Sequence, residues 1–548
     1  MGTGLALIER MSELKSVTPP PFKVFMNQHL PHSWLKNRGY LHITPQIDVY
    51  ASRKEILSKI KNKNYVAKYA FFPLIHASID ERRYKAHPEK GERCHSYQDI
   101  NGKFKRHIKS RPLHYATHMD ALILGYYAEI LQDKYKTLLD KNPSLSECII
   151  AYRKIWDEES QKKKNTIHFA HEVFEEIKNR GNEGGCMVLT FDIKSFFSSL
   201  NHQLLKKVWT NLINEDKLPD DHFNVFKAVT RFSYILLDDL RISDRKTGRK
   251  AGFDEKKLAK IRNKYGIHAF FESAEEFRNK IKNRELRIHR FPFRDKEKRP
   301  MGIPQGLPIS AVLANLYLLD FDNEMFNQVV KGLNGFYRRY SDDMVIVCNP
   351  EFAEQIELIV KQEIQKCLIK ISEDKTEKFW FTKRRFGNQP PRLTSIKLTN
   401  TVCKIEAPFT YLGFEFYGNK TLIKSANLAK FYRRMISTVK RKSKQAIKIA
   451  EKQGSKTPVI FKRRLFKLYR LANLNKTKIF TRRKSFKINH VGDFRLQSEE
   501  KPKNLRSNYF SYVKRASKIM KEDAIKAQLR NHRKLFNQAL QRHCNNKK

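Results

Sequence analysis

An α/β fold, with strands and helices interleaved along the chain, is what the sequence predicts, and three stretches carry that prediction. Residues 337–347, Tyr-Arg-Arg-Tyr-Ser-Asp-Asp-Met-Val-Ile-Val, set two aspartates before an apolar run rich in β-branched residues. That is the pattern of a tight hairpin with Asp342 and Asp343 at its tip. Residues 187–191, Met-Val-Leu-Thr-Phe, read as a buried strand ending at Asp192, and Asn201-His202 then open a Leu-rich helix. Residues 302–308, Gly-Ile-Pro-Gln-Gly-Leu-Pro, form a loop that cannot be regular structure. It runs into a helix with Ser310 as the expected cap and apolar residues at helical spacing.

The acidic residues come next. Two carboxylates at a hairpin tip repel unless something positive joins them. Hard divalent cations such as Mg²⁺ prefer carboxylate oxygens, and two of them about 4 Å apart can hold both the attacking and the leaving oxygen of a phosphoryl transfer. The chain holds a comparison for this pair. Asp238-Asp239, between leucines, reads as helical surface, as most adjacent aspartates do. What separates Asp342-Asp343 is company: Asp192, at the end of a buried strand, supplies a third carboxylate. By itself, an Asp after a strand is more often a turn or cap residue. Phe197, five positions on, could press on a sugar C2′ and exclude a 2′-hydroxyl; core packing is the plainer reading of the same ring. In the 302–308 loop a glycine lets backbone approach a nucleotide closely, and Gln305 beside Gly306 can hydrogen-bond the incoming nucleotide or template.

Asp192 with Phe196-Phe197, Gln305-Gly306 with Ser310 and Asn315, and Tyr340-Ser341-Asp342-Asp343 resemble, in order, motifs A, B and C of the reverse transcriptases. Lys375-Thr376 resembles motif D. Phe409-Thr-Tyr-Leu-Gly-Phe-Glu-Phe416 resembles motif E, the hairpin that grips the primer. The ordered set spans about 230 residues, Met187 to Phe416. Ser341 departs from the Ala usual between Tyr and Asp-Asp. Upstream, Gly102–Leu113 is similar to the basic fingers hairpin, with Lys105 and Arg106 as triphosphate ligands or as a solvated basic loop. The helix expected from His114 to Leu131 would bury Leu122, Tyr126, Ile130 and Leu131 on one face. Ala151-Tyr-Arg-Lys154, with Asn165 and a helix to about Arg180, resembles the element before motif A in retron-like and defence-associated ("unknown group") enzymes.

The resemblance implies a right-hand polymerase: an antiparallel palm sheet backed by helices, fingers, and a basic helical thumb with a C-terminal extension. The expected divisions are an N-terminal helical and basic region over 1–100 (broken at Pro19–Pro21), fingers and palm over 101–420, and thumb and extension over 421–548. An insertion is expected at about 203–300, holding helices over Leu204–Glu215 and Asp221–Leu240 and a charged segment from Asp244 to Lys298. Gln453–Pro458 reads as a turn or linker.

Composition agrees with this organisation. Lys and Arg number 109 against 57 Asp and Glu, a formal net charge of +52. From Lys424 to Lys548 there are 37 Lys/Arg against 6 Asp/Glu, the asymmetry of nucleic-acid contact. Aromatics punctuate that region, as in Phe461–Arg470, which reads as a helix. The seven cysteines form no C-x-x-C pair, so neither a structural zinc nor a disulfide framework is expected. With no signal peptide and no apolar run of transmembrane length, a cytoplasmic protein without membrane contact is expected.

By the resemblance, the chain is expected to be an RNA-directed DNA polymerase, a nucleotidyltransferase, acting in prokaryotic antiviral (phage) defence with a partner non-coding RNA. Asp192, Asp342 and Asp343 would be catalytic and would hold two Mg²⁺, or Mn²⁺. Phe197, Gln305, Gly306, Lys105, Arg106 and Lys375 would bind the nucleotide, and Tyr340, Tyr411, Leu412 and Gly413 primer and template. Partners would be an RNA template, the DNA product and dNTPs, and a homo-oligomer is compatible with the sequence. The alternatives are a retron or group II intron-type enzyme, template-independent or protein-primed DNA synthesis, an RNA-dependent RNA polymerase, and an RNA-binding module with a polymerase-like fold.

Overall fold

The computed structural model describes residues 32–544 apart from 88–91, 100, 158–160, 244–249, 267, 400–401, 456–458, 460–464, 466–478, 489–493 and 504–507. Pro19–Pro21 and nearly all of Phe461–Arg470 lie outside the described residues. The chain divides into two compact units. One comprises residues 1–146, 193–323 and 362–370; the other, 147–192, 324–361 and 371–548.

The second unit is built on an antiparallel sheet. In chain order its strands are β1 (Cys186–Asp192), β2 (Phe336–Tyr340), β3 (Asp343–Cys348), β4 (Glu377–Arg384), β5 (Arg392–Leu398) and β6 (Lys404–Ile405). Their order across the sheet is β2-β3-β1-β4-β5-β6. β1 and β3 lie inside it, which is why both read as apolar runs rather than alternating ones. Helix α1 (Thr166–Glu183) covers one face. Asn165 caps it in a reciprocal box with His168, and Ile167, Ala170, Val173, Phe174 and Ile177 follow at helical spacing on its buried side. A second small sheet of β7 (Phe409–Tyr411), β8 (Phe414–Phe416) and β9 (Thr421–Ile423) follows. Phe416 stacks on Phe174 at 4.7 Å and on Phe381 at 5.5 Å, tying α1, the main sheet and the small sheet into one aromatic core. Each buried Phe contributes about 1.5–3 kcal/mol through removal from water. Helix α2 (Ser425–Lys452) then buries Phe431, Met435, Val439, Ser443, Ala446 and Ala450 at spacings of three and four. Helix α3 (His532–Cys544) packs on that stripe through Phe536, Ala539 and Leu540.

In the first unit, strand Leu74–Arg82 pairs antiparallel with Ile108–Tyr115 and parallel with Tyr234–Leu236. The helix expected from His114 begins at His118, because His114 and Tyr115 are taken up by the sheet; it runs to Asp140. Its buried surface is wider than a stripe: Leu122, Ile123, Leu124, Tyr127 and Leu131 are all buried, whereas Tyr126 and Ile130 are half-buried. The helix expected over Asp221–Leu240 stops at Thr230. Tyr234-Ile-Leu236 pair with Leu74–His76 instead, and a 3-10 turn, Leu237–Leu240, carries Asp238-Asp239. Here a sheet edge outcompetes local helix preference. Within the expected insertion, helices Glu255–Tyr265 and Ala274–Lys282 share a core of Leu258, Phe270, Phe271 and Phe277 with Ile75 and Ile235.

Candidate active site

β2 and β3 are joined by a two-residue turn, Ser341-Asp342, because Tyr340 pairs with Asp343. The same Asp343 stands opposite Asp192 at the end of β1. Directly opposed residues in an antiparallel pair lie about 4.5–5.5 Å apart at Cα, so the register alone brings the acidic ends of two distant segments together. One slip of the register would turn Asp192 to the other face.

The carboxyl groups feel one another. Asp343 is pushed up to about 6, first by the protein crowded around it, then by the charges of Asp342 and Asp192, with Lys375 and Lys424 opposing. Asp342 is raised by burial and by Asp192, and lowered by hydrogen bonding, including one bond from Ser341. Because Asp343 keeps an exposed face, the mutual repulsion is the cause that a bound cation would reverse. Asp192 is held otherwise: its carboxylate pairs with the Lys375 ammonium, and its carbonyl accepts from the Ser372 N–H at 2.7 Å. That backbone bond tethers the Glu373–Lys375 turn to the strand end. Two residues expected to serve separately, as metal ligand and phosphate ligand, are therefore paired with each other.

Three carboxylates at one strand end are hard oxygen donors, the chemistry a Mg²⁺ or Mn²⁺ ion requires. Among the described residues no three His, Cys, Asp or Glu side chains already converge as a coordination set. The donor types fit the ion, and the Asp192 carboxylate must exchange Lys375 for it.

The other expected residues fall in two groups. Tyr340 is half-buried beside the turn, its hydroxyl raised by burial first and then by Tyr152 and Asp343. Tyr411 is buried in the core with its ring stacked on Phe409. Its alternation with Thr410 along β7 puts it on the inward face. Leu412 and Gly413 form the β7–β8 turn with φ of 42° and 94°, and the Gly413 carbonyl accepts from Lys424 N–H at 3.0 Å.

Phe197, Gln305 and Gly306 belong to the first unit. The Ile303 N–H donates to the Phe197 carbonyl at 2.7 Å and the His114 N–H to the Gln305 carbonyl at 2.8 Å, so the loop is stitched to both segments. Ser310 is the first helical residue rather than the cap; its hydroxyl donates to the Pro304 carbonyl at 2.5 Å and closes the loop. Lys105 and Arg106 are exposed on the Phe104–Arg106 strand, with Lys105 paired to Asp99 at 2.9 Å. Sequence reasoning missed Lys424, whose charge reaches Asp343; its place between the β7–β9 sheet and a basic helix was the available signal.

Residues 255–416 match the family model described as reverse transcriptase (RNA-dependent DNA polymerase). The matched segment holds Gln305, Gly306, Asp342, Asp343, Lys375 and the β7–β8 turn, and starts after Asp192 and Phe197. No curated protein sequence matches the chain. Among solved structures, the chain is similar to apo telomerase from Candida tropicalis truncated from its C-terminal domain. The identity is 11% and the TM-score 0.34, covering 59% of this chain and 53% of that one. It is also similar to telomerase from Candida albicans with a TWJ fragment of telomeric RNA, at 11% identity and TM-score 0.34, covering 71% and 54%. The chain thus spans about half the length of these telomerases. The antiparallel sheet backed by helices is consistent with the palm of a right-hand polymerase, and the matched segment is similar to the domain of RNA-directed DNA polymerases. Enzymes with this domain generally use divalent metal ions. Among the described residues no helix is long and apolar enough to cross a membrane.

Proposed function

We propose that this chain copies RNA into DNA at Asp192, Asp342 and Asp343, holding two Mg²⁺ ions, and that it serves prokaryotic antiviral defence with a dedicated non-coding RNA. One observation carries the catalytic part: the register that sets Asp192 opposite Asp343, next to Asp342. The likeness of Gly302–Leu318 and Tyr152-Arg153-Lys154 to defence-associated enzymes supports the biological part.

Asp192 and Asp342 are the main ligands and Asp343 assists. When bound, the ions lower the pKa of the primer 3′-hydroxyl and neutralise the charge that develops on the triphosphate. Lys375, released from Asp192, offers a compact charge to the phosphates. Lys105 and Arg106 serve the same triphosphate. Phe197 excludes the 2′-hydroxyl of a ribonucleotide, and Gln305 and Gly306 receive the base and sugar. Tyr340 and the Leu412-Gly413 turn steady the primer end. Positioning and charge stabilisation account for most of the protein's contribution to such a reaction.

The test compares wild type with Asp342→Ala on an RNA template and DNA primer, supplying dNTPs and rNTPs in parallel. Wild type is expected to incorporate dNTPs in a Mg²⁺-dependent way, and the variant to fall to background with template–primer affinity kept within about twofold. DNA synthesis by the variant, or RNA binding by wild type without any incorporation, would overturn the catalytic reading. Sequencing of co-purifying nucleic acid tests the partner: one abundant small RNA with complementary DNA is expected, and homopolymeric DNA would replace templated copying with untemplated synthesis.

A further inference from the structure

The turn that carries Asp342 is unusual at the residue before it. Ser341 has φ of 62°, and a two-residue hairpin turn with positive φ at its first position ordinarily takes Gly, Asn or Asp. Its side chain is also buried, and a buried hydroxyl is tolerated when it is hydrogen-bonded. Both needs are answered from one place. Tyr152 donates its hydroxyl to Ser341 Oγ at 3.3 Å, across 189 residues of sequence. Ser341 is joined directly to Asp342 in the two-residue turn, so anchoring its side chain fixes the backbone from which the Asp342 carboxylate projects. On the other side, the buried Arg339 guanidinium donates to the Ser341 carbonyl at 3.2 Å.

Tyr152 is itself held in a costly conformation. Its φ is 58°, an outlier for a bulky aromatic residue. The surrounding chain dictates it: Ile150 N–H donates to the Arg339 carbonyl at 3.1 Å, fastening the segment to β2, and Arg153 donates to the Ile149 carbonyl at 2.7 Å, closing the turn. Persisting strain beside a reactive site is a pointer to function when the neighbouring contacts enforce it. The ring is exposed and only loosely paired with Tyr340 at 6.4 Å, so core packing does not account for it.

We infer that Tyr152 is a positioning residue that acts through Ser341 to hold the Asp342 carboxylate in the orientation a metal ion requires. The inference rests on the proposed role of Asp342 as a metal ligand. Partners that orient a ligating carboxylate commonly change metal affinity by 10–100-fold when removed.

The experiment uses the full chain and Mn²⁺ alone as probe, with free Mn²⁺ read by electron paramagnetic resonance, and separately kcat and KM for dNTP. Tyr152→Phe removes one oxygen and keeps the ring; Ser341→Ala removes the relay. Each is expected to weaken Mn²⁺ binding and lower kcat by about tenfold, with KM for dNTP unchanged within about twofold. The double variant should be no worse than the more damaged single one, as for two links of one chain. A Tyr152→Phe variant equal to wild type while Tyr152→Ala is impaired would show that the ring acts by stacking and would overturn the relay. Multiplying effects of the two single variants would overturn it as well. Asp342→Asn separates the levels: if it leaves Mn²⁺ binding intact the ligand role fails, and if it abolishes binding while Tyr152→Phe binds Mn²⁺ as wild type does, only the relay fails.

Discussion

Gly306 shows how a single residue type is dictated by geometry. Its φ is 108°, and a Cβ built on it would stand 2.6 Å from the His114 carbonyl oxygen, which is backbone and cannot swing aside. The neighbouring Gln305 carbonyl is bonded to the His114 N–H, so displacing Gly306 also displaces Gln305. Gly306→Ala is therefore expected to cost about 1–3 kcal/mol of stability and to raise KM for dNTP severalfold, with template–primer affinity kept. Thermal melting and steady-state incorporation check both; an unchanged KM would remove Gln305 from the nucleotide site. At this scale the sequence was legible where residue type and backbone demand coincide. The Gly-Pro loop announced its turn, and the Asp-Asp pair announced a hairpin whose turn the structure sets one residue earlier, at Ser341-Asp342, with Asp343 already in the strand. Partners were not legible: Lys375 on Asp192, Tyr152 on Ser341 and Ser310 on Pro304 depend on side-chain directions that spacing does not encode.

Helix α2 raises the same question one level up. Its N-cap is Lys424, which offers no capping oxygen. Glu415, on β8 and buried, accepts instead from the Ser425 N–H and from the Ser425 hydroxyl, each at 2.9 Å. A carboxylate there answers an orphan donor and complements the helix dipole. Glu415→Ala is expected to destabilise the chain by about 1–3 kcal/mol, and Glu415→Gln by less, as read by denaturant or thermal melting. Equal stability of Glu415→Ala and wild type would show that the helix start is secured elsewhere. The elements that periodicity located well are those that bury a regular face, such as α1, β1 and β3. Those it misplaced are the ones a neighbour claimed: His114-Tyr115 and Tyr234–Leu236 have enough apolar character for a helix, but strand Leu74–Arg82 offers them backbone partners on both of its edges. Competition of that kind is decided by tertiary contact, and a single sequence does not display it.

Over the whole molecule the dominant physical fact is charge. A net +52 spread over 548 residues repels itself unless polyanion is present, and α2 shows how part of it is arranged. From Ser425 to Ala450 the helix has no acidic residue, and Lys430, Arg433, Lys440, Arg441, Lys444 and Lys448 are exposed opposite the stripe that packs on α3. Such a face can neutralise phosphates along a duplex or strand and release their counterions, which makes affinity fall as a power of salt concentration. Replacing Lys440, Arg441, Lys444 and Lys448 together by Ala leaves the buried stripe intact and favours the helix. The slope of log K against log salt for an RNA–DNA template–primer should then become shallower by about 0.7–0.9 for each phosphate the helix no longer neutralises. The chemistry at the carboxylates should survive, so kcat at saturating template–primer and low salt is expected within about twofold of wild type, while KM for template–primer rises. If the slope stays as steep as in wild type, the helix does not lie on the nucleic acid, and the basic character of residues 424–548 must act through its other segments. If kcat collapses with the slope, α2 does more than bind phosphates, and the separation drawn between a charge-bearing helix and a carboxylate-bearing sheet is wrong.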